Sequence, residues 1–203
     1  MFTGLIESVG EVADLQAIDA GYSLRITSDI TADLCLGESV AVNGVCLTVV
    51  AKGVGPDPFF SAEIGPETAK VTSLGSLTPG ALVNLERSMP ANGRFGGHLV
   101  LGHVDGTGSI ESIRQEADFW WVTVSYPAAL APYLIHRGSV AIDGISLTIA
   151  TLEAASLDVQ IVPFTWSHTN LRTARAGDRV NLECDMVGKY VVRAVEVMTV
   201  RHR

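Results

Sequence analysis

The stretch SVAVNGVCLTV at residues 39–49 returns as SVAIDGISLTI at residues 139–149, at an offset of 100 positions in a chain of 203 residues. In both copies, apolar and largely β-branched residues flank an Asn-Gly or Asp-Gly pair. Asn, Asp and Gly tolerate the positive φ of a tight turn, so this pattern is a strong hairpin signal. We therefore predict one β-hairpin that turns at residues 43–44 and a second that turns at residues 143–144.

The similarity between the two halves extends beyond this hairpin. The stretches PET at residues 66–68 and VNLE at residues 83–86 return as PFT at residues 163–165 and VNLE at residues 180–183, each at an offset of 97 positions. Ordered blocks at nearly constant spacing indicate a tandem duplication with small changes in loop length.

Short β-branched runs between turn residues predict strands in both halves. The predicted strands are residues 40–50, 59–64, 81–87, 120–126, 140–150, 157–162 and 179–184, with brief helical turns at 66–74 and 128–134. A unit of roughly 100 residues with about six short strands hides its sheet edges best by closing into a barrel. We predict an all-β fold, a tandem duplication of two small six-stranded antiparallel β-barrels, over residues 1–96 and 97–186.

The end of the chain follows a different pattern. Within residues 187–203, apolar residues such as Val187, Val191 and Ala194 recur at a spacing of three to four, which predicts an amphipathic helix without a counterpart in the first half. The pattern alone leaves two alternatives open, because the apolar stripe can serve assembly or pack on its own barrel.

Composition excludes several classes of function. The formal charge of −8, without a Lys/Arg cluster, argues against a nucleic-acid partner. No apolar run approaches the roughly 18 to 20 residues of a membrane span, and no targeting segment is visible at the N-terminus, so we expect a cytoplasmic protein. Cys35, Cys46 and Cys184 lack C-x-x-C spacing, which argues against a disulfide framework and a zinc site; no metal site is predicted.

Five segments carry a family resemblance: MFTGLIE at 1–7, NGVCLTV at 43–49, GGHLVLGHVDGTG at 96–108, DGISLT at 143–148 and NLECD at 181–185. In this order and spacing they resemble the signature segments of the riboflavin synthase family, and the similarity runs to about residue 195. The resemblance implies two homologous barrels, each binding one 6,7-dimethyl-8-ribityllumazine, and a C-terminal helix that joins three chains into a homotrimer. It also implies an active site between the N-terminal barrel of one chain and the C-terminal barrel of its neighbour.

The implied reaction is a dismutation of two lumazines to riboflavin and 5-amino-6-(D-ribitylamino)uracil, without a cofactor or metal. Association with lumazine synthase is a further implied partner relationship. The alternative is a non-catalytic lumazine- or flavin-binding protein of the same fold, which tends to lose the polar residues of one barrel.

Candidate catalytic residues combine the residue pattern with this resemblance. His103 can move protons near neutral pH, and its repeat equivalent is Leu5, so the fold does not require an imidazole there. Cys46 and Ser146 are repeat equivalents, each two positions before a threonine, and alternation places each pair on one strand face. Packing of small buried groups is the alternative for these pairs.

The resemblance adds further candidates. The full catalytic set is His103, Cys46, Ser146, Thr148, Asp185 and Phe2, with Phe2 and Thr3 placed over the site. A solvated strand-end charge is the alternative for Asp185, and His98 is interpreted mainly as structural.

Substrate contacts are implied in both halves. In the first half they are Thr3, Gly4, Leu5, Ile6, Ser39, Cys46, Leu47, Thr48, Glu63, Ile64, Gly65, Pro66, Glu67 and Thr68. In the second half they are Gly102, His103, Val104, Arg137, Ser146, Leu147, Thr148, Gln160, Ile161, Val162, Pro163, Phe164 and Thr165. The chain departs from the family pattern at Leu101, where Ser or Gln is frequent, and at Phe164, where a polar residue is usual.

Overall fold

Each copy of the repeat closes into a six-stranded antiparallel barrel in the computed structural model, which describes residues 1–200. The first barrel has the strand order β1-β2-β5-β4-β3-β6, with β1 Ser8–Ile18, β2 Gly21–Thr27, β3 Ser39–Val42, β4 Val45–Gly53, β5 Phe59–Ile64 and β6 Leu82–Arg87. The second repeats this order with β7 Gly106–Glu116, β8 Phe119–Ser125, β9 Ser139–Ile142, β10 Ile145–Leu152, β11 Ser156–Ile161 and β12 Arg179–Cys184. The predicted all-β duplication is confirmed.

The predicted hairpins are β3-β4 and β9-β10. The first residue of each turn, Asn43 or Asp143, has a φ of 45°, and the glycine in the second position also has a positive φ. Within β4, Val45, Leu47 and Val49 are buried in the core of the first barrel, which alternation along a strand requires. Each of the two barrels has its own apolar core.

Strands β1, β2 and β7 were not predicted from the sequence. In β1 the register shifts between Val12 and Asp14, and in β7 it shifts between Ile110 and Ser112. A β-bulge adds a residue to one strand and so breaks the alternation of apolar and polar positions. The period-two signal is therefore lost at the same place in both copies.

Short helices follow β5 and β11. They are α1, Pro66–Val71, and α2, Pro163–Ser167, each with proline in its first turn. The brief helical turns predicted from the sequence lie at α1 and at a 3₁₀ segment, Ala128–Tyr133.

The predicted C-terminal helix is α3, Met186–Val200. Asp185 caps it, because the Val187 N–H donates to Asp185 Oδ1 at 3.0 Å. Several apolar residues of the predicted stripe are exposed, among them Val187 at 58%, Tyr190 at 69% and Val191 at 57%. The stripe is therefore not covered by the barrel of its own chain. The end of the predicted segment, residues 201–203, lies outside the described residues.

No helix within residues 1–200 is both long enough and apolar enough to cross a membrane.

The two barrels are joined by a pair of equivalent hydrogen bonds. Asn84 Nδ2 donates to the carbonyl oxygen of Asp143 at 2.9 Å, and Asn181 Nδ2 donates to the carbonyl oxygen of Asn43 at 2.9 Å. Both asparagines are buried, with an exposure of 1% each. The asparagine shared by the two VNLE blocks thus serves the contact between the barrels.

Two segments that precede the barrels cross over to the opposite barrel. We call residues 2–6 arm 1 and residues 100–104 arm 2. The carbonyl oxygen of Gly4 in arm 1 accepts a hydrogen bond from the Ser146 N–H at 2.8 Å, and that of Gly102 in arm 2 accepts one from the Cys46 N–H at 2.9 Å. Arm 1 therefore lies on the second barrel and arm 2 on the first.

Candidate functional site

The outer wall of the first barrel carries the residues that we call site 1. Cys46 and Thr48 of β4 point outward, while Leu47 between them is in the core. The predicted sharing of one face is thus confirmed, and the face is the outer wall of the barrel. His103 of arm 2 is exposed next to Gly102, which bonds the Cys46 backbone. Strand β5 and the start of α1, residues 63–68, form the neighbouring edge.

The equivalent surface of the second barrel is site 2. Ser146 is half-buried and Thr148 is exposed on β10, and arm 1 brings Leu5 next to Ser146. Residues 160–165 at the end of β11 and the start of α2 form the neighbouring edge. The structure therefore sorts the predicted contacts into two sets, and His103 belongs with Cys46 rather than with Ser146.

A different histidine, His98, lies at site 2. His98 Nδ1 lies 2.7 Å from Ser146 Oγ, within hydrogen-bond distance. Its Nε2 atom is enclosed and finds no hydrogen-bond partner among residues 1–200. Burial lowers the pKa of His98, and the nearby charge of Asp185 opposes this shift. A half-buried imidazole that stays neutral is suited to accept the Ser146 proton. The structural interpretation favoured for His98 from sequence therefore missed this pairing.

Asp185 lies at the junction between β12 and α3. It is half-buried, caps the helix and acts electrostatically on His98. This position favours a supporting role over that of a solvated strand-end charge.

Two buried carboxylates hold the arms and were missed as functional residues. Glu86 accepts hydrogen bonds from the Thr3 N–H at 2.6 Å and from the Gly4 N–H at 2.9 Å. Its repeat equivalent Glu183 accepts from the N–H groups of arm 2, from Leu101 at 2.8 Å and from Gly102 at 3.0 Å. Burial raises the pKa of both carboxyls, and these N–H donors oppose the shift. The recurrence of Glu in both VNLE blocks was the available sequence signal.

Several predicted contact residues turn their side chains away from the sites. The side chains of Leu47, Ile64 and Ile161 belong to the barrel cores, and the partly buried Leu147 packs against the second core. Only the backbone of these residues is available to a ligand on the outer wall.

Burial raises the pKa of Cys184 to about 12, so this thiol stays protonated.

Phe2 is completely buried. Its ring packs with Ala41, Val100 and Ala141 between the barrels, and its backbone pairs with Val100 at 2.8 Å. Phe2 therefore holds arm 1 in place. Contact between this buried ring and a ligand is not supported, and a catalytic role for Phe2 stays a prediction.

The remaining predicted contacts lie at the edges of the sites. Ile6 packs against the second core and Val104 against the first, as the crossing of the arms requires. Ser39 of β3 lies opposite Thr48 in the strand register. Arg137 is exposed and has a φ of 64°, where the first repeat has Gly37. A non-glycine residue in the left-handed region costs on the order of 1 kcal/mol, which points to a use for the Arg137 side chain.

The sequence matches the family described as "Lumazine binding domain" twice, over residues 3–88 and 101–185. Each match covers one barrel together with the arm that precedes it in the chain. A crystal structure of LumP complexed with 6,7-dimethyl-8-(1'-D-ribityl) lumazine has a TM-score of 0.80 and 26% identity to this chain, and the similarity covers 91% of this chain and 99% of LumP. A structure of LumP complexed with riboflavin has a TM-score of 0.82 with the same identity.

Full-length relatives narrow this assignment. The riboflavin synthase of Mycobacterium tuberculosis (strain ATCC 25618 / H37Rv) is 46% identical over 198 residues, which cover 95% of this chain and 97% of that protein. The riboflavin synthase of Bacillus amyloliquefaciens is 44% identical, over 95% of this chain and 89% of that protein. That of Schizosaccharomyces pombe (strain 972 / ATCC 24843) is 37% identical, over 97% and 94%. The chain belongs to the riboflavin synthase family.

Proposed function

We propose that this chain is a riboflavin synthase, a transferase that dismutates two molecules of 6,7-dimethyl-8-ribityllumazine. One lumazine gives a four-carbon unit to the other, which becomes riboflavin, and the donor leaves as 5-amino-6-(D-ribitylamino)uracil. The two products together contain all atoms of the two substrates, so no external oxidant is needed. The observation that carries the proposal is the presence of two equivalent outer-wall sites, each with an outward Cys or Ser, a Thr and a histidine.

The side chains of both sites suit the proton transfers of this reaction. The C7 methyl group of one bound lumazine must lose a proton, and C7 of the other must be activated by a nucleophile. Two pairs of side chains can exchange these protons. They are Ser146 with neutral His98 at site 2 and Cys46 with His103 at site 1. Holding two substrate molecules in one orientation supplies much of the remaining rate enhancement.

We propose further that a homotrimer completes the active site, with site 1 of one chain facing site 2 of its neighbour. The exposed apolar residues of α3, which include Val187, Tyr190 and Val191, support this assembly. Sedimentation of the full chain tests it. Tyr190→Asp should dissociate the trimer, whereas Arg193→Ala, on the charged face of the helix, should leave it intact. Dissociation by both variants or by neither would contradict the role of the stripe.

A cytoplasmic location and an association with lumazine synthase stay predictions of the family resemblance. Co-sedimentation of the purified chain with lumazine synthase tests the second.

The similarity to LumP favours one other function, a protein that binds lumazine or flavin without turnover. Each barrel keeps a polar pair, Cys46/Thr48 in the first and Ser146/Thr148 in the second, which favours the enzyme. The test is to incubate the purified chain with 6,7-dimethyl-8-ribityllumazine alone and to follow flavin fluorescence. Multiple turnovers support the synthase, and stoichiometric binding without flavin formation would show a binding protein.

A further inference from the structure

The rims of the two sites differ at three repeat positions in the same direction. Around site 2 the exposed residues Leu5, Val162 and Phe164 are apolar, with exposures of 50%, 46% and 70%. Their equivalents around site 1 are His103, Gly65 and Glu67, and all three are exposed. All three residues at site 2 are apolar, whereas two of the three at site 1 have polar side chains and the third is glycine, although the two barrels share one fold.

Phe164 is held in place despite its exposure. Its ring stacks on His168 with a centroid distance of 4.0 Å and an interplanar angle of 14°. The His168 N–H of the backbone also donates to the Phe164 carbonyl oxygen at 3.0 Å. The repeat equivalent of this histidine is Val71, so the first barrel has no such stacked pair.

The neighbouring tryptophans fix the direction in which Phe164 points. Trp166 stacks on Trp120 of β8, with centroids 4.8 Å apart and planes within 2°. With about 3.6 residues per helical turn, Phe164 and His168 lie on the side of α2 opposite to Trp166. The Phe164 ring is therefore on the face of α2 turned away from β8, and α2 follows β11, the strand that pairs with β10 of site 2.

The two rims offer different interactions to a flat ring that carries a polyol chain. A fixed phenyl ring stacks on a heteroaromatic ring but accepts no hydrogen bond from a hydroxyl group. A carboxylate such as Glu67 accepts charge-assisted hydrogen bonds from hydroxyl groups.

We propose that this difference gives the two sites of the proposed synthase different selectivity. Site 1 recognises the ribityl hydroxyl groups through Glu67, and site 2 recognises the flat ring through Phe164. The inference rests on the proposed function, because it takes a ribityl-bearing lumazine or flavin as the occupant of both sites.

The test compares riboflavin with lumiflavin, which has the same tricyclic ring and no hydroxyl groups; neither is turned over. Calorimetry of the full chain separates two classes of binding site by their affinities, and each class is assigned by the rim variant that changes it. For the unmodified chain, one class should bind the two ligands within about threefold, and the other class should bind lumiflavin at least about tenfold more weakly than riboflavin.

Exchanging the two rim residues tests whether Phe164 and Glu67 cause the difference in selectivity. Phe164→Glu should give the class without a preference a preference for riboflavin of at least about tenfold, and Glu67→Phe should remove the preference from the other class. Phe119→Glu makes the same chemical change at an exposed phenylalanine of β8 and should change neither ratio.

Three results would overturn the inference: equal polyol dependence of both sites in the unmodified chain, unchanged ratios in both rim variants, or dissociation of the oligomer by Phe164→Glu without a change in ratio. The last result would assign Phe164 to a contact between chains. Absence of flavin formation from lumazine, with the ratios as expected, would instead contradict only the catalytic proposal.

Discussion

His98 Nδ1 lies 2.7 Å from the hydroxyl oxygen of Ser146, and the two residues come from different parts of the second half of the chain. The histidine belongs to the linker between β6 and arm 2, residues 88–99, and the serine belongs to β10. The pair meets because arm 1 and the linker cross the outer wall of the second barrel together, where the His98 N–H donates to the Thr3 carbonyl oxygen at 3.1 Å.

Replacement of His98 should impair turnover more than stability. Loss of a general acid or base lowers kcat by about 10²- to 10⁴-fold, and we expect His98→Ala to fall in this range. Urea unfolding should show a much smaller effect, and His136→Ala, at an exposed histidine, should leave both quantities unchanged. A loss of activity no greater than the loss of folded protein would show a structural role.

The pH profile of kcat should reflect the buried environment of His98. Burial lowers the pKa of this histidine, so its neutral form persists below the ordinary pKa of about 6.5. The acid limb of the profile should therefore lie below pH 6.5. Asp185→Asn keeps a good helix cap but removes the charge that opposes the shift, so it should move the acid limb to lower pH. An acid limb that moves to higher pH in this variant would contradict the assignment.

Truncation of Phe2 should destabilise the protein. Phe2 has 0% exposure, and removal of a buried phenyl ring costs about 3 to 5 kcal/mol. Leu5→Ala, at a residue of the same arm that is 50% exposed, should cost well under half of this amount. The free energies of unfolding from urea titrations give the comparison. Equal effects of the two substitutions would show that arm 1 is not anchored by Phe2.

Asp143 should make stability depend on pH. Burial raises its pKa from 3.8 to about 6, although the Asn181 N–H and Asn170 Nδ2 donate to it and oppose the shift. The folded state therefore holds this proton more tightly than the unfolded state. The resulting stabilisation is fully present below pH 4 and is lost as the pH rises to about 6, by roughly 3 kcal/mol.

Asp143→Asn, which introduces the residue that the first repeat has at Asn43, should remove this dependence. The difference in Tm between the original chain and the variant should fall between pH 4 and pH 6 and stay constant above pH 7. The reciprocal Asn43→Asp should add a second loss over a similar range. A difference in Tm that does not vary with pH would contradict the raised pKa.

Local patterns predicted most of the fold because they depend on neighbours in the chain. The turns at Asn43 and Asp143 and the alternation around Cys46 and Ser146 are properties of single strands. The bulged strands β1 and β7 escaped prediction because their alternation is interrupted. The pairing of His98 with Ser146 escaped it because 48 positions separate the two residues and no local pattern joins them.

The sequence by itself determined the duplication, the closed barrels, the terminal helix and the family, since repeats, turn residues and apolar periodicity are encoded locally. Only the tertiary structure decided which residues act together. The arms cross to the opposite barrel, so His103 lies with Cys46, and Leu5 and His98 lie with Ser146. The physical reason is that long-range contacts hold the arms. The Ser146 and Cys46 N–H groups bond them to the opposite barrel, and buried Glu86 and Glu183 bind their N–H groups from their own barrel, and the spacing of residues in the chain reveals neither contact.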